Sequence, residues 1–223
     1  MNDTIIQRVS VYLLPILVSI TLHELSHGYV AYMLGDKTAK LMGRLTLNPI
    51  AHIDIFGTII MPILLLVLSD GQFAFGYAKP VPINPLNFKN PRKDMAISAA
   101  AGPVTNIILA AISMLILRFI FPFAGDISSH MIAGKVLKPI ILMLKASVMM
   151  NIFLAAFNLI PIPPLDGGRV LTGILPYRQA IAFSKIEPYG MVILLILIAT
   201  GMTDYFVMPL ARLILDILSV IRF

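Results

Sequence analysis

The sequence predicts an all-α polytopic membrane protein with about five to six transmembrane helices and a re-entrant or extended membrane-associated segment after the first. The chain has 223 residues, of which 58% are hydrophobic and only 13% charged, whereas soluble domains carry about 25% charged residues. Several apolar runs also approach the roughly 20 residues that cross a bilayer as a helix. We expect one membrane-embedded domain over residues 1–223, with a core at about 5–175 and C-terminal helices at about 186–223.

The predicted helices follow from apolar runs bounded by glycine, proline and polar residues. The first, at residues 5–34, ends at Gly35-Asp36. We expect it to be retained, because neither a basic n-region nor a small-residue cleavage site marks it as a signal peptide. The remaining helices are expected at residues 95–121 and 136–160, then as a short amphipathic piece at 169–175 and two apolar runs at 189–200 and 205–221.

Two segments between the first two long helices are expected not to cross the bilayer. Residues 55–68 are apolar, but there are only 14 of them and Pro62 interrupts them. That length suits a re-entrant or broken segment better than a full span. Residues 71–88, "GQFAFGYAKPVPINPLNF", alternate apolar residues with three prolines, which indicates an extended edge or a loop.

The charged residues and the absence of cysteine exclude two kinds of function. The net charge of +6 is spread over loop ends without a basic run, so it is typical of topological lysine and arginine and not of nucleic-acid binding. The chain contains no cysteine, which excludes disulfides, thiol catalysis and cysteine-ligated metal.

The segment "HELSH" places a metal-binding pattern inside the first helix. Residues four apart share one helix face, so His23 and His27 can bind one ion, and Glu24 lies close enough to take a proton from a water at that ion. The chain has only 4 histidines, and ionisable groups are costly in hydrocarbon, so their concentration here indicates a functional site. The alternative is a buried polar cluster that only bonds neighbouring helices.

A catalytic zinc needs a third protein ligand and one open position. Position 33 is methionine, which excludes a third histidine six residues after His27. Glu187 is the other glutamate of the chain and lies in a late loop. The open candidates are His52, Asp54 and Asp166, although loop packing or helix capping explains the first two equally well.

Asp166 is favoured because prolines fix the backbone before it and glycines after it permit close approach. It follows the helix at 136–160, so it meets His23 and His27 only if that helix runs parallel to the first. Residues 35–94 must then return to the side they left. Most lysines and arginines would lie on that side, and the positive-inside rule places it, with the active site, at the cytosolic side of the cell membrane. The alternative for Asp166 is a helix N-cap.

These motifs resemble the site-2 protease family of intramembrane metalloproteases, in its compact prokaryotic form without a PDZ-like or CBS-like domain. The resemblance runs from about residue 13 to 190 through "HELSH", "GRLTLNPIAHID", "GYAKPVPIN", "AGPVTN" and "FNLIPIPPLDGG". It implies one Zn²⁺ per chain and Glu24 as the catalytic base. The implied zinc ligands are His23, His27 and Asp166, and the implied substrate-binding residues are Asn106, Asn158, Tyr77, Pro80 and Pro82.

The expected function is therefore hydrolysis of peptide bonds within or near the transmembrane segments of membrane-protein substrates in the lipid bilayer. The alternative is a non-proteolytic membrane protein, either a substrate-binding protease relative or a zinc or proton carrier. Carriers usually place ionisable residues along successive spans, often in duplicated halves, whereas this chain has one such site and no internal repeat. Interhelical hydrogen bonding and a functional role explain Asn151 equally well. The sequence indicates no oligomeric state.

Overall fold

The structure is a computed structural model that describes residues 5–70, 76–120 and 131–220. Within these ranges the chain is an all-α membrane protein without strands. Its α-helices are α1 (Ile5–Met33), α2 (Thr38–Leu41), α3 (Met61–Leu68), α4 (Pro91–Ile120), α5 (Met131–Asn158), α6 (Asp166–Ile174), α7 (Tyr177–Ser184), α8 (Gly190–Ala199) and α9 (Asp204–Val220). A π-helical turn, Ile55–Ile60, leads into α3, and short 3₁₀ turns lie at Pro49–His52, Pro85–Asn87 and Glu187–Tyr189.

The predicted helices are present, with shifted boundaries and two additions. α4 begins at Pro91, four residues early, because proline suits a first helical turn and the Asp94 carboxylate accepts the backbone N–H of Asn90 at 2.9 Å. The helices α2 and α7 were not predicted, since neither contains an apolar run long enough to stand out from its loop. The predictions for residues 71–75, 121 and 221 lie outside the described residues.

Helices α1 and α4 run antiparallel. His23 contacts Asn106, whereas His27, one turn further along α1, contacts the earlier residue Ser98. The C-terminal part of α1 therefore packs on the N-terminal part of α4, where small residues allow the two backbones to approach.

Helices α4 and α5 are also antiparallel. Asn106 contacts Asn151, and Ser113, two turns later on α4, contacts the earlier residue Ser147 on α5. Because α1 and α5 each oppose α4, they run parallel to one another, which confirms the prediction on which the placement of Asp166 depends. The buried core of the described residues is apolar and rich in alanine, and α8 and α9 contribute Leu194 and Val207 to it.

The connection from α1 to α4 begins and ends at the same end of the helix bundle, so it makes no net crossing. Asp36, just after α1, accepts hydrogen bonds from the backbone of Asn84 and the side chain of Asn87, just before α4, both at 2.7 Å. The apolar stretch Ile55–Leu68 has 14 residues, about 21 Å of helix at 1.5 Å per residue, and it is shorter than a bilayer core of about 30 Å.

Residues 76–84, here called the edge segment, form neither helix nor regular strand. Alternate backbone N–H groups face the protein: Tyr77 donates to the Gly57 carbonyl at 3.0 Å and Lys79 to the His52 carbonyl at 2.9 Å. This alternation is typical of extended chain, so the extended edge or loop predicted from the prolines is present in the described part of residues 71–88.

Three described helical stretches are long and apolar enough to cross a membrane: Pro91–Ile120, Val136–Asn158 and Tyr177–Ala199. α1 is not among them, and its C-terminal half carries the polar "HELSH" residues. The full number of five to six spans therefore stays a prediction.

Candidate metal centre

His23 and His27 lie one helical turn apart on the face of α1 that packs against α4. Both side chains are buried, and their Nε2 atoms are 3.0 Å apart. Each Nδ1 has a partner on α4: His27 Nδ1 lies 2.8 Å from the Ser98 carbonyl oxygen, and His23 Nδ1 lies 2.5 Å from Asn106 Oδ1. Because both partners are acceptors, each Nδ1 carries a proton, and in the neutral rings both Nε2 atoms present lone pairs to the same point.

Asp166 brings a carboxylate to that point from the first residue of α6. Its Oδ2 lies 3.1 Å from His23 Nε2 and 3.3 Å from His27 Nε2, and it is buried without a hydrogen-bond donor. The N-cap position of α6 is Leu165, so Asp166 is not the helix N-cap that was the alternative for it.

The glycines after Asp166 make this approach sterically feasible. A methyl group on Gly167 would lie 2.3 Å from the Leu159 carbonyl oxygen, and one on Gly168 would lie 2.6 Å from the Pro163 backbone nitrogen. Any larger residue would push the start of α6 away from the end of α5. The close approach predicted from the glycines is confirmed.

The three ligand atoms fit a divalent metal ion. Donors about 2.0–2.2 Å from a tetrahedral zinc are roughly 3.3–3.6 Å apart, and the observed separations of 3.0, 3.1 and 3.3 Å lie at or slightly below that range. Two lone pairs and a carboxylate oxygen that face one another repel unless a cation lies between them. Within the described residues, His23, His27 and Asp166 form the group that could hold such an ion.

Gly102 on α4 leaves the space that this ion needs. A methyl group at position 102 would lie 2.4 Å from His27 Nε2 and 2.6 Å from His23 Nε2. It would therefore occupy the region in which a metal contacts both histidines. The sequence indicated small residues here for helix packing, but nothing in it singled out Gly102 as part of the site.

Glu24 lies beside the centre and is held by the edge segment. Its half-buried carboxylate accepts the backbone N–H of Val81 at 2.9 Å. In metal-binding patterns of this kind, a carboxylate directly after the first histidine is typical of a general base, and that role of Glu24 stays a prediction. Nothing in the residue pattern pointed to Val81, because its contribution is a backbone group.

The other ligand candidates lie apart from the centre. His52 is buried, and its Nε2 contacts the Thr46 carbonyl at 3.0 Å. Asp54 accepts the Gly57 N–H at 2.7 Å and so caps the π-helical turn. Glu187 is exposed in a short 3₁₀ turn. These contacts match the loop-packing and capping alternatives that the sequence left open.

The predicted substrate-binding residues fall into three environments. Asn106 is fully buried between α1 and α5, whereas Asn158 is half-buried and donates to the Leu154 carbonyl of its own helix at 2.9 Å. Tyr77, Pro80 and Pro82 lie on the edge segment, where Pro80 is exposed and the other two are half-buried. Their roles toward a substrate stay predictions.

A buried His–His–Asp centre in an apolar helical bundle defines a membrane protein with a candidate metal site. The sequence profile of peptidase family M50 matches residues 11–200, which is most of the chain. The chain therefore belongs to peptidase family M50, the site-2 protease family of metalloproteases.

Named relatives agree with this assignment. The chain is 38% identical over 197 residues to "Putative zinc metalloprotease YwhC" of Bacillus subtilis, covering 88% of this chain and 84% of that protein. It is 26% identical over 203 residues to "Putative zinc metalloprotease Rip2" of Mycolicibacterium smegmatis, covering 89% and 72%. It is 28% identical over 175 residues to "Zinc metalloprotease MJ0392" of Methanocaldococcus jannaschii, covering 78% of this chain but 37% of that protein. No solved structure matches the chain.

Proposed function

We propose that this protein is a zinc-dependent endopeptidase that cleaves membrane-protein substrates within or near their transmembrane segments. The observation that carries the proposal is the meeting of His23, His27 and Asp166 at one buried point, with the Glu24 carboxylate beside it. The three ligands account for one Zn²⁺ per chain and leave a fourth position open, as in catalytic zinc sites. The names of the relatives, which are zinc metalloproteases, support the choice of metal.

The roles of the protein groups follow from their positions. When bound, zinc supplies a Lewis acid for the scissile carbonyl and lowers the pKa of a coordinated water. Glu24 accepts the proton of the attacking water and delivers it to the leaving amine. The Val81 N–H holds one oxygen of Glu24, which keeps the carboxylate oriented through both transfers.

The edge segment supports a mode of substrate binding. A transmembrane substrate must unwind before its peptide bonds are accessible, and the exposed backbone then needs partners that strand addition can supply. The inner edge of the segment is already bonded through the N–H groups of Tyr77, Lys79 and Val81. Its outer edge offers mainly carbonyl groups, since Pro80 and Pro82 have no N–H. The substrate backbone would therefore act chiefly as the donor.

Asn158 is the second group proposed to contact substrate. It is the last residue of α5, eight residues before Asp166, and it is partly exposed. Its Nδ2 donates to Leu154, which leaves its Oδ1 as an acceptor for a substrate amide.

The cationic loops support an orientation in the membrane. The connection from α1 to α4 lies at the end of the bundle where α1 ends, and it carries Lys37, Lys40, Arg44, Lys79 and Lys89. By the positive-inside rule this end faces the cytosol. We therefore propose that the protein is a multi-pass protein of the cell membrane and that its active site faces the cytoplasmic side.

The proposal is tested by comparing peptide cleavage by the wild type with that by the Glu24→Gln variant. The purified protein, with its zinc quantified, is incubated with a panel of transmembrane peptides. We expect Glu24→Gln to keep one zinc and to lose cleavage, because it removes the proton acceptor and leaves the three ligands. Glu187→Gln is the matched control, since Glu187 is exposed and apart from the centre, and it should cleave like the wild type. Residual activity of Glu24→Gln within tenfold of the wild type would show that Glu24 is not the base.

A wild-type protein that binds zinc and cleaves none of the peptides would favour the non-proteolytic alternative. In that case the same purified protein is tested for binding of the peptides without cleavage, which separates a substrate-binding relative from a carrier.

A further inference from the structure

A row of buried amide and hydroxyl groups connects the metal centre to α5. It runs from His23 through Asn106 and Asn151 to Ser147. Both asparagine side chains are 0% exposed. Burial of an amide is unfavourable unless its hydrogen bonds are made, and neither the proposed proton transfers nor the helix packing requires two asparagines at this depth.

The Ser147 backbone carbonyl, at the end of the row, determines which group donates in every hydrogen bond of the row. The Ser147 backbone carbonyl can only accept, so Asn151 presents Nδ2 to it at 2.9 Å. Asn151 Oδ1 then faces Asn106 Nδ2 at 2.7 Å, and Asn106 Oδ1 faces His23 Nδ1 at 2.5 Å. An amide oxygen can only accept, so His23 Nδ1 must carry the proton.

This direction determines which nitrogen of His23 is available to a metal. With the proton on Nδ1, a neutral ring has its lone pair on Nε2, the atom that faces His27 and Asp166. If the Asn106 amide were reversed, its Nδ2 would face His23 Nδ1 and would favour the tautomer with the proton on Nε2, which cannot bind a metal.

We propose that Asn106 is a positioning residue for the zinc ligand His23, and that Asn151 holds the Asn106 amide in the required direction. The assignment rests on the proposed zinc site. It differs from a substrate-binding role for Asn106, because a side chain with no exposed surface offers a substrate nothing to contact. It also gives Asn151 a function beyond interhelical bonding.

Zinc affinity, measured by chelator competition on the purified full chain, tests the proposal. Asn106→Leu removes the acceptor, and we expect zinc to bind about 10–100-fold more weakly, as is typical when a partner of a metal ligand is lost. Asn106→Asp keeps an acceptor for His23 Nδ1 but loses the donor to Asn151 Oδ1, so it should bind zinc more tightly than Asn106→Leu does. Asn151 contacts no metal ligand. In Asn151→Leu, however, the Asn106 amide is free to reverse, so the zinc affinity should fall by a smaller factor than in Asn106→Leu.

Ser113→Ala is the matched control for the α4–α5 contact. It removes a buried hydrogen bond to Ser147 Oγ, at 2.8 Å, while Asn151 Nδ2 keeps its bonds to the Ser147 carbonyl and to Ser147 Oγ. Its zinc affinity should equal that of the wild type. Equal loss of zinc affinity in Ser113→Ala and Asn151→Leu would mean that weaker packing of α4 on α5 explains the loss, and it would overturn the proposal.

The substrate-binding role for Asn106 makes the opposite prediction. If Asn106→Leu and Asn106→Asp both keep wild-type zinc affinity but lose cleavage at saturating zinc, Asn106 acts on the substrate and the positioning role is wrong. If Asn106→Leu does not fold, the test depends on Asn151→Leu, and an unchanged zinc affinity of that variant would show that the positioning role is wrong. A wild type that binds zinc but cleaves no peptide would refute the proposed protease function alone, since the affinity comparisons still decide the role of Asn106.

Discussion

The metal centre and the edge segment lie against the same helix, α1, but they are held in different ways. In the centre, each ligand is buried and meets a side chain or carbonyl from another helix, as His27 does with Ser98. The edge segment has exposed residues such as Lys79 and Pro80, and it is held through backbone N–H groups. Glu24 belongs to both regions, because it follows the ligand His23 and accepts from Val81.

This difference separates two kinds of substitution. In the centre, the proposed metal needs three particular side chains and the space between them, so we expect a change of one side chain to abolish metal binding. Along the edge segment, hydrogen bonds to the protein are made by the backbone, so we expect substitutions at its exposed positions to be tolerated when they keep those bonds. We therefore expect losses of zinc from the centre and graded losses of turnover from the edge segment.

Gly102→Ala should have the largest effect on the centre. Its new methyl group would lie 2.4 Å from His27 Nε2 and 2.6 Å from His23 Nε2, where the metal must contact both rings. We expect no stoichiometric zinc and no cleavage, as measured by metal analysis of protein purified without chelator.

Gly173→Ala provides the matched control for helix packing. Its methyl group would lie 2.3 Å from Ala96 Cβ, which is also a contact with α4 but is away from the ligands. This variant should be less stable yet retain its zinc. Loss of zinc from both variants would mean that displacement of α4 or α6, and not occupation of the metal position, suffices to explain Gly102→Ala.

Asp166→Ala should also lose zinc and proteolysis, because it removes one of the three protein ligands. His52→Ala and Asp54→Ala should keep the metal at micromolar zinc, since neither side chain faces the centre. Metal analysis of the three variants decides between them. A zinc-replete Asp166→Ala beside a zinc-free His52→Ala or Asp54→Ala would overturn the ligand assignment.

The centre could be predicted largely from the sequence, whereas for the edge segment only the extended form could be predicted and not the contacts that hold it. The 3.6-residue helical period places His23 and His27 on one face, and the proline and glycine residues around Asp166 indicated a tight approach. Both inferences rest on side-chain types that a sequence displays. The contacts of Val81 with Glu24 and of Asn84 with Asp36 are made by backbone N–H groups, which every residue except proline has, so no residue pattern marks them.

Gly102 lies between these cases. A glycine-proline pair in an apolar helix indicates close approach to some neighbour, but the sequence does not identify that neighbour. It became identifiable as part of the metal site only once α1 and α4 were known to be antiparallel, with Asn106 and Ser98 against the two histidines.

Val81→Pro tests the bond that joins the two regions. Proline has no N–H, so Glu24 loses its partner while the zinc ligands are untouched. A hydrogen bond to a charged group contributes about 1.5–3 kcal/mol, and kcat should therefore fall by about tenfold to a hundredfold if that bond orients Glu24 in the transition state. Zinc content should stay at one per chain.

Ala78→Pro is the contrasting variant on the same segment. Residue 78 faces away from the inner edge, between Tyr77 and Lys79, whose N–H groups are bonded to the protein. Loss of its N–H should raise KM for transmembrane peptides more than it lowers kcat. If Val81→Pro leaves kcat within twofold of the wild type, the bond to Glu24 has no part in turnover.

The smallest expected effect is at the anchor of the edge segment, Asp36. This fully buried carboxylate accepts hydrogen bonds from Thr38, Asn84 and Asn87. Burial by itself raises the pKa of Asp36, but the hydrogen bonds from Asn87, Thr38 and Asn84 outweigh it and hold the pKa below its ordinary value. A folded-state pKa below the unfolded value means that the ionised form stabilises the fold above the unfolded pKa of about 3.9, and that this stability is lost as pH falls through the lower, folded value.

Asp36→Asn separates this contribution from that of other carboxylates. It keeps the shape of the side chain but turns one acceptor oxygen into a donor that faces other donors, so its melting temperature in detergent at pH 7 should lie below that of the wild type. The gap between the two proteins should narrow as pH falls from about 4 through the lower, folded-state pKa of Asp36, because the wild-type carboxylate becomes protonated over that range. Zinc content at pH 7 should be the same in both, since Asp36 touches no ligand. A gap that stays constant from neutral to acidic pH would show that the charge of Asp36 does not hold the edge segment and that its second acceptor oxygen does.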